Sequence, residues 1–367
     1  MILITGGAGF IGTAVARELI GRGHRVRILD SLIEQVHGER GPSEALVADA
    51  ELIVGDVRNG DVVTRALQGV DSVVHLAAEV GVGQSMYAVE RYTSVNEVGT
   101  AVLFEKLIER PVRRVVTASS MSIYGEGLYL DADGRPVENA ERRPSAGAAA
   151  GWDPLDSRGR PLRPVPTPEW KRPSLSSIYA LGKYVQERQT LILTGAYGME
   201  GVCLRLFNVY GPGQALSNPY TGVLAIFAAR LLNGHPPLVF EDGEQRRDFV
   251  HVSDVARAFA DALTLPQAAG GVFNIGSGKE RSVNEVARAL AAAMDVAIEP
   301  RIAGQSRAGD IRHCFCDTAL AAERLGFSAA KDFGEGLAEL AEWLAGQEAD
   351  DRVEQARGEL EIRGLVA

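Results

Sequence analysis

Met1-Ile-Leu-Ile-Thr-Gly-Gly-Ala-Gly-Phe-Ile-Gly12 is the stretch whose reading decides the fold of this chain. Its short apolar run reads as a buried strand. The run passes directly into Gly6, Gly9 and Gly12, and Thr13-Ala-Val-Ala-Arg-Glu-Leu-Ile20 then has helical periodicity. Strand, tight glycine turn and helix are expected in that order. The turn needs a residue free to take positive φ, a pyrophosphate needs a backbone with no Cβ in its way, and the helix must pack closely on the strand. Glycines at this spacing serve all three needs, and the helix N-terminus behind them offers free N–H groups to an anion. A second strand, Arg25-Val-Arg-Ile-Leu29, ends at Asp30, near the spacing of a carboxylate that accepts both ribose hydroxyls of an adenosine and repels a 2′-phosphate. The expected ligand is therefore NAD rather than NADP. The alternative is a glycine-rich turn that binds nothing.

At 367 residues and 46% hydrophobic, the chain can bury a sizeable core in one large or two modest domains. A net charge of −10 disfavours a nucleic-acid surface, which needs a clustered basic face, and suits solubility. Cys203, Cys314 and Cys316 are too few and too poorly spaced for a disulfide framework or a zinc site, so no metal is expected and a reducing cytoplasm is. With a strand expected from residue 2, no signal peptide is expected, and no apolar run has the length that spans a bilayer.

Beyond Asp30 the chain alternates. Strands expected at Glu51–Val54, Ser72–Leu76, Arg114–Ala118 and Val202–Leu206 are separated by helices at Asp61–Leu67, Tyr92–Glu109 and Ser176–Thr194. Such alternation implies a Rossmann-like, doubly wound α/β fold, its sheet parallel, with ligands at the carboxyl ends of the strands. Asp56, Ala77 with Ala78, and Ser119 with Ser120 then share one edge with the glycine turn and Asp30. The division expected is an NAD-binding domain over 1–206, a smaller C-terminal α/β substrate domain over 207–345 and a charged tail over 346–367. Short strands at Leu238–Phe240, Phe249–Val250, Val272–Ile275 and Ile298–Arg301 are assigned to the smaller domain. The first domain is interrupted over 126–173 by a stretch rich in Pro, Gly, Arg and Asp that holds Trp152 and Trp170. A structureless loop of that length is uncommon in a compact domain. A lid or subunit contact is expected there, with disorder as the alternative.

Ser177-Ile-Tyr179-Ala-Leu-Gly-Lys183 carries the chemistry. Tyr179 and Lys183, four apart, share one helix face. A lysine ammonium beside the phenol is expected to lower its pKa from about 10 and make Tyr179 a general base near neutral pH. Alone, this spacing is common in surface helices. Behind a dinucleotide turn it points to catalysis. Ser119-Ser120-Met121-Ser122 closes a strand at the same edge, where Ser120, or in second place Ser122, is expected to hydrogen-bond the substrate oxygen that Tyr179 deprotonates. A serine-rich turn that merely caps the strand is the alternative.

These stretches, with Gly55-Asp56, His75-Leu-Ala-Ala78, Asn96, Gly99-Thr100, Leu204-Arg-Leu-Phe-Asn208-Val-Tyr-Gly-Pro212, Arg247-Asp-Phe-Val-His-Val252 and Arg307-Ala-Gly-Asp310, resemble the extended short-chain dehydrogenase/reductase family, specifically its nucleotide-sugar epimerases and dehydratases. The resemblance implies NAD held by Gly6, Gly9, Phe10, Ile11, Gly12, Asp30, Asp56, Val57, Leu76, Ala77, Ala78, Asn96, Tyr179 and Lys183, with Asp56 and Val57 at the adenine. It implies a nucleotide-sugar substrate met by Ser120 and Asn208, with its diphosphate clamped by Arg247 and Arg307, whose guanidinium forks match diphosphate oxygens. A homodimer through the helices Tyr92–Glu109 and Ser176–Thr194 is implied as well.

Within that family, 4,6-dehydratases follow the catalytic hydroxyl with an Asp-Glu pair, where this chain has Met121 and Ser122. Uronate 4-epimerases usually carry Thr where Asn208 stands. What remains is NAD-dependent epimerisation at C4 of a neutral sugar. Gly81–Met86, Met121–Tyr129 and Gln214–Val223, together with the interruption, look like the branch that converts dTDP-L-rhamnose to dTDP-6-deoxy-L-talose. Val80, Val82, Met86 and Met121 either suit its C6 methyl or belong to the core. The alternatives are a UDP-glucose or UDP-N-acetylglucosamine 4-epimerase, a reductase of a 4-keto sugar, and a non-catalytic NAD-binding sensor, the last opposed by the presence of both Tyr179 and Lys183.

Overall fold

β1 (Ile2–Thr5) is buried along its whole length, as only a strand covered on both faces can be. The computed structural model describes residues 1–38, 41, 44–141 and 151–366. In it β1 lies between β2 (Val26–Asp30) and β4 (Ser72–His75), parallel to both, with β3 (Glu51–Val54) beyond β2. On the far side β5 (Arg114–Ser120), β9 (Glu200–Leu206) and β13 (Val272–Ile275) complete a seven-stranded, all-parallel sheet of order β13-β9-β5-β4-β1-β2-β3. The order reverses between β1 and β4, the position at which open α/β sheets bind their ligands.

Helices cover both faces. α1 (Phe10–Gly21) is followed by the short α2 (Glu34–His37), α3 (Glu44–Asp49), α4 (Gly60–Ala66), α5 (Val82–Ser85) and α6 (Val89–Thr93), then by α7 (Gly99–Glu109) and α8 (Ile178–Ala196). One face is closed where Val15 and Leu19 of α1 share a core with Val255, Phe259 and Leu263. The other is closed by Val63 and Ala66 of α4 with Leu103, Phe104 and Leu107 of α7.

The second unit holds β10 (Asn208–Tyr210), β12 (Arg246–His251), β14 (Glu280–Ser282) and β16 (His313–Cys314) in one mixed sheet, and β11 (Leu238–Val239) paired with β15 (Arg301–Ile302). α9 (Val223–Leu232), α11 (Val283–Ala293) and α13 (Phe333–Leu344) enclose its core around Phe227, Leu290 and Leu340. α10 (Val252–Thr264) and α12 (Ala319–Leu325) pack instead against the large sheet, and α14 (Val353–Ile362) buries Ala356 and Leu360.

Several features differ from the expectations, and the strand expected at Ile298–Arg301 is confined to Arg301–Ile302. Val272–Ile275 extends the large sheet rather than the second unit, because a four-residue buried run carries no local mark of which sheet it joins. The interruption at 126–173 contains a small antiparallel sheet, β6 (Leu128–Leu130) between β7 (Pro136–Val137) and β8 (Arg163–Val165); its residues 142–150 lie outside the described ones. The helix expected over Tyr92–Glu109 is split by a π-turn at Ser94–Val98 that turns Asn96 inward. Phe333–Leu344 forms a helix where the sequence reading places none.

Candidate active site

The glycine turn sits at the reversal of the sheet. Gly6 has φ +67°, and a Cβ on it would lie 2.8 Å from the Ala77 amide nitrogen, so only glycine fits between β1 and the chain leaving β4. A Cβ on Gly12 would collide with the Gly6 carbonyl, so its absence lets α1 rest on the turn. Gly9 caps α1 with no side-chain acceptor, so Phe10, Ile11 and Gly12 open a helix N-terminus whose amides suit a diphosphate.

Asp30 ends β2. Its carboxylate is buried and accepts from Ala8 N at 3.0 Å and Leu32 N at 2.9 Å, with the His37 ring 3.5 Å away. Burial alone would raise its pKa, but the hydrogen bonds from His37, Leu32 and Ala8 prevail and hold it below the usual carboxylate range. It is ionised at neutral pH, as acceptance from ribose hydroxyls requires. Asp56 is gripped by Arg58, whose hydrogen bonds keep its carboxyl low, while Val57 is buried beneath Gly99. Leu76, Ala77 and Ala78 follow β4, where Leu76 N donates to Thr5 O. Asn96 engages both ends of its carboxamide with the next residue of that segment: Oδ1 accepts from Glu79 N at 2.7 Å and Nδ2 donates to Glu79 O at 3.1 Å.

Tyr179 stands in the first turn of α8, which Ser177 caps by accepting from Ala180 N. Ser120 ends β5 and faces the Tyr179 phenol within hydrogen-bond reach. Ser122 donates to Ser120 Oγ through its hydroxyl at 2.8 Å and its amide at 3.2 Å, so the two serines are used in series rather than as rivals. The expected charge pairing of Tyr179 with Lys183 is corrected. The Lys183 ammonium donates to Ala118 O at 3.0 Å and to Gln186 Oε1 at 2.9 Å. Desolvation raises Tyr179 above its ordinary value, against the Ser120 hydrogen bond, and draws Lys183 down to about 7. Burial, acting on both groups toward neutrality, outweighs the attraction that the spacing suggested.

One turn further along α8, a buried ion pair holds the helix to the sheet. Glu187 meets Arg205 of β9 through two hydrogen bonds, at 2.7 and 3.0 Å, and also accepts from Ser119 of β5 at 2.7 Å. The side-chain geometry of Tyr179 and Lys183 is thereby referred to two sheet strands.

Among the residues expected to meet the substrate, Asn208 begins β10 with its Oδ1 buried and without a hydrogen-bond partner. Arg247 donates to the carbonyls of Ile311 and Arg312, and Arg307 pairs with Asp310 at 2.8 Å while stacking 4.4 Å above the Phe240 ring. Both arginines are thus fixed on the 307–312 segment. A cavity of about 350 Å³ adjoins this segment, lined by Arg307, Asp310, Ser174, Ser176, Gly364 and Leu365. Leu365 O accepts from Ala308 N at 2.9 Å, and Arg363 stacks 4.4 Å from the Tyr87 ring, so the charged tail reaches both units. Met121 is a core residue, clustered with Ile123, Tyr124 and Phe207, whereas Val80 is half exposed.

Sequence reasoning missed Gln186 and Arg312. Arg312 is buried against Glu241, Asp242 and Asp153, the last of these belonging to the interruption. Neither has a local signal, since their partners come from distant segments. Among the described residues no group of three or more His, Cys, Asp or Glu side chains is placed to hold a metal, and no helix is long and apolar enough to cross a membrane.

Comparison with known proteins agrees with this geometry. Residues 2–146 and 160–276 match the model of the NAD dependent epimerase/dehydratase family. The chain is 37% identical to dTDP-L-rhamnose 4-epimerase of Burkholderia thailandensis over 95% of its own length and 96% of that protein. The UDP-glucose 4-epimerase of Thermotoga maritima with UDP-glucose superposes with a TM-score of 0.76 at 30% identity, covering 94% of this chain and 98% of that one. The Thermus thermophilus UDP-glucose 4-epimerase in complex with NAD does so with a TM-score of 0.74, also at 30% identity, covering 94% and 99%.

Proposed function

The chain belongs to the NAD-dependent epimerase/dehydratase family and is an NAD-dependent nucleotide-sugar 4-epimerase; from this premise we propose that it inverts C4 of dTDP-L-rhamnose to give dTDP-6-deoxy-L-talose. The observation that carries the C4 chemistry is the hydroxyl series from Ser122 through Ser120 to Tyr179 at the end of β5. The likeness to the Burkholderia enzyme supports the choice of sugar.

NAD, when bound, supplies a hydride acceptor that gives the hydride back within the same turnover. Tyr179, as the phenolate that the positive charge of bound NAD would favour against burial, takes the proton of the 4-hydroxyl and returns it once the ketone has presented its other face. Ser122 donates into Ser120, which leaves the Ser120 hydrogen for the reacting oxygen. Lys183 keeps one hydrogen beyond the two it gives to Ala118 and Gln186, and directs it toward the cofactor ribose. Gly6, Gly9, Phe10, Ile11 and Gly12 hold the cofactor diphosphate, Asp30 the adenosine ribose, and Asp56 and Val57 the adenine. Arg247 and Arg307 grip the sugar diphosphate while the sugar turns, and Asn208 accepts from the substrate. Loss of water across C5 and C6 has no acid and base here, since Met121 is packed in the core and Ser122 is engaged with Ser120.

We also infer a homodimer through α7 and α8, where Leu181 and Ile192 of α8 and Val98 of the π-turn leading into α7 lie exposed. The three cysteines are free and buried, which suits the reducing cytoplasm. The deciding experiment is an NMR time course with dTDP-L-rhamnose, UDP-glucose and UDP-N-acetylglucosamine in parallel, with no cofactor added. Inversion of dTDP-L-rhamnose alone is expected. Inversion of a UDP sugar in its place would reassign the substrate, and no inversion of any sugar after NAD is supplied would overturn the C4 reading.

A further inference from the structure

Gln186, nearly inaccessible to solvent, lies one turn beyond Lys183 on α8 and touches three parts of the site at once. Its Oε1 accepts from the Lys183 ammonium at 2.9 Å, and its Nε2 lies 2.9 Å from Thr100 Oγ1, 3.3 Å from Ala77 O and 3.1 Å from His75 Nε2. We propose that Gln186 is a positioning residue: it bridges Lys183 to the buried Thr100, His75 and Thr5 side chains, and so fixes both the aim and the charge of the lysine. This rests on the reading of Lys183 as part of the catalytic group.

The hydrogen-bond roles admit one arrangement. Thr100 gives its hydroxyl hydrogen to Asn96 O at 2.6 Å, so toward the His75 ring, 2.8 Å away, it can only accept. His75 therefore carries its proton on Nε2, and its Nδ1 accepts from the Thr5 hydroxyl at 2.7 Å. Burial and the nearby Lys183 keep that imidazole neutral. The Gln186 amide group must then send its hydrogens to Thr100 and Ala77 O, which leaves its oxygen for Lys183. The reversed amide would set an NH₂ group against an ammonium. Two of the three ammonium hydrogens are thus assigned, to Ala118 O and Gln186 Oε1, and the direction of the third follows. In a buried site, where a carbonyl dipole is poorly screened, this acceptor also favours the charged lysine. The titratable group facing Lys183 is His75 on β4, with Tyr179 one turn back on its own helix.

The test compares the parent enzyme with Gln186→Met, which keeps the bulk, and Gln186→Glu, which strengthens the acceptor. In Gln186→Met, kcat should fall roughly 10- to 100-fold, the loss of one hydrogen bond to a charged group, with KM for the sugar unchanged and NAD retained. Substrate-free protein labelled at lysine Cε gives a second readout, tractable because the chain has only five lysines, with Lys183→Arg assigning the signal. Lys183 should titrate lower than parent in Gln186→Met and higher in Gln186→Glu, each by about one pH unit or more. Losses of Tm, NAD content and kcat in parallel, with the Lys183 titration unmoved, would show a packing role and overturn the proposal. If Gln186→Met does not fold, the Gln186→Glu titration decides alone. A parent enzyme inactive on every nucleotide sugar would sink the epimerase reading while leaving the lysine titration to judge this one.

Discussion

Burial draws Tyr179 and Lys183 in opposite directions, each toward its neutral form. Without cofactor the Tyr179 hydroxyl therefore keeps its proton, and its replacement isolates the proton-transfer step. Tyr179→Phe should lower kcat by about 10²- to 10⁴-fold while NAD is retained, measured by sugar NMR and by absorbance of the protein-bound cofactor. A variant that loses NAD would point to a damaged site instead. His75 offers a stability measurement. Its pKa falls from 6.5 unfolded to about 3 folded, because burial and the nearby Lys183 disfavour the imidazolium. The neutral ring therefore contributes stability that is complete above pH 6.5 and is lost as pH falls from there toward 3, at ~1.4 kcal/mol per pH unit. Urea unfolding of His75→Gln between pH 6.5 and 4 should lack that part of the slope; a slope equal to the parent's would exclude His75 as its source. At this scale the positions of the glycines in the turn, of Asp30 and Ser120 at strand ends and of Tyr179 on its helix were legible because each is marked by a local turn or a fixed spacing. The charge state of Tyr179 was not, because desolvation depends on what the rest of the chain packs around it.

At the scale of elements, the described parts of the 126–173 interruption are anchored to the rest of the chain, where a lid or subunit contact, or else disorder, was expected. Arg312 lies in a buried position within 3.0 Å of carboxylate oxygens on Glu241, Asp242 and Asp153. Glu241 takes φ +54°, unusual for a residue with a Cβ, and its link to Arg312 is one restraint on that turn. Asp153 is held well below the usual carboxylate range by its hydrogen bond to His313 and by Arg312. Arg312→Met should cost about 3–5 kcal/mol in chemical denaturation, since it strands the buried Glu241 carboxylate without its arginine. A loss under about 1 kcal/mol, typical of an exposed pair, would contradict the anchoring. Composition reads Pro, Gly, Arg and Asp as a loop, and the partners that convert it into an attached element stand far away in sequence. The π-turn that turns Asn96 inward was hidden for a related reason, as it interrupts hydrogen bonding without interrupting the apolar periodicity.

For the whole molecule, the large sheet is finished by β13 and backed by α10, both of which follow residue 206 in sequence. The expected division at 206 and 207 therefore cuts through a core. A fragment of residues 1–206 should lack a cooperative urea transition, because it exposes the edge of β9 and the face of α1 that meets Val255 and Phe259. A sharp transition with protected β9 amides would show that the first unit stands alone. Alternating strands and helices sufficed to indicate a doubly wound sheet, since each element carries its own period. Which sheet a buried strand joins is decided by long-range pairing, so β13 was placed with its neighbours in sequence.

The position of β13 also sets a timetable for synthesis. At ~5–20 residues per second, β9 leaves the ribosome several seconds before the strand that will cover its edge. During that interval β10 and β12 emerge and can pair with each other, β11 still lacks its partner β15, and β9 remains an open template for a neighbouring nascent chain. The first part of the second unit, from β10 to β12, is thus translated inside the gap of an unfinished sheet, and the rest follows it. Exchanging that unit between relatives requires junctions on both sides of β13, because a single crossover at residue 206 would join a six-stranded sheet to a foreign seventh strand.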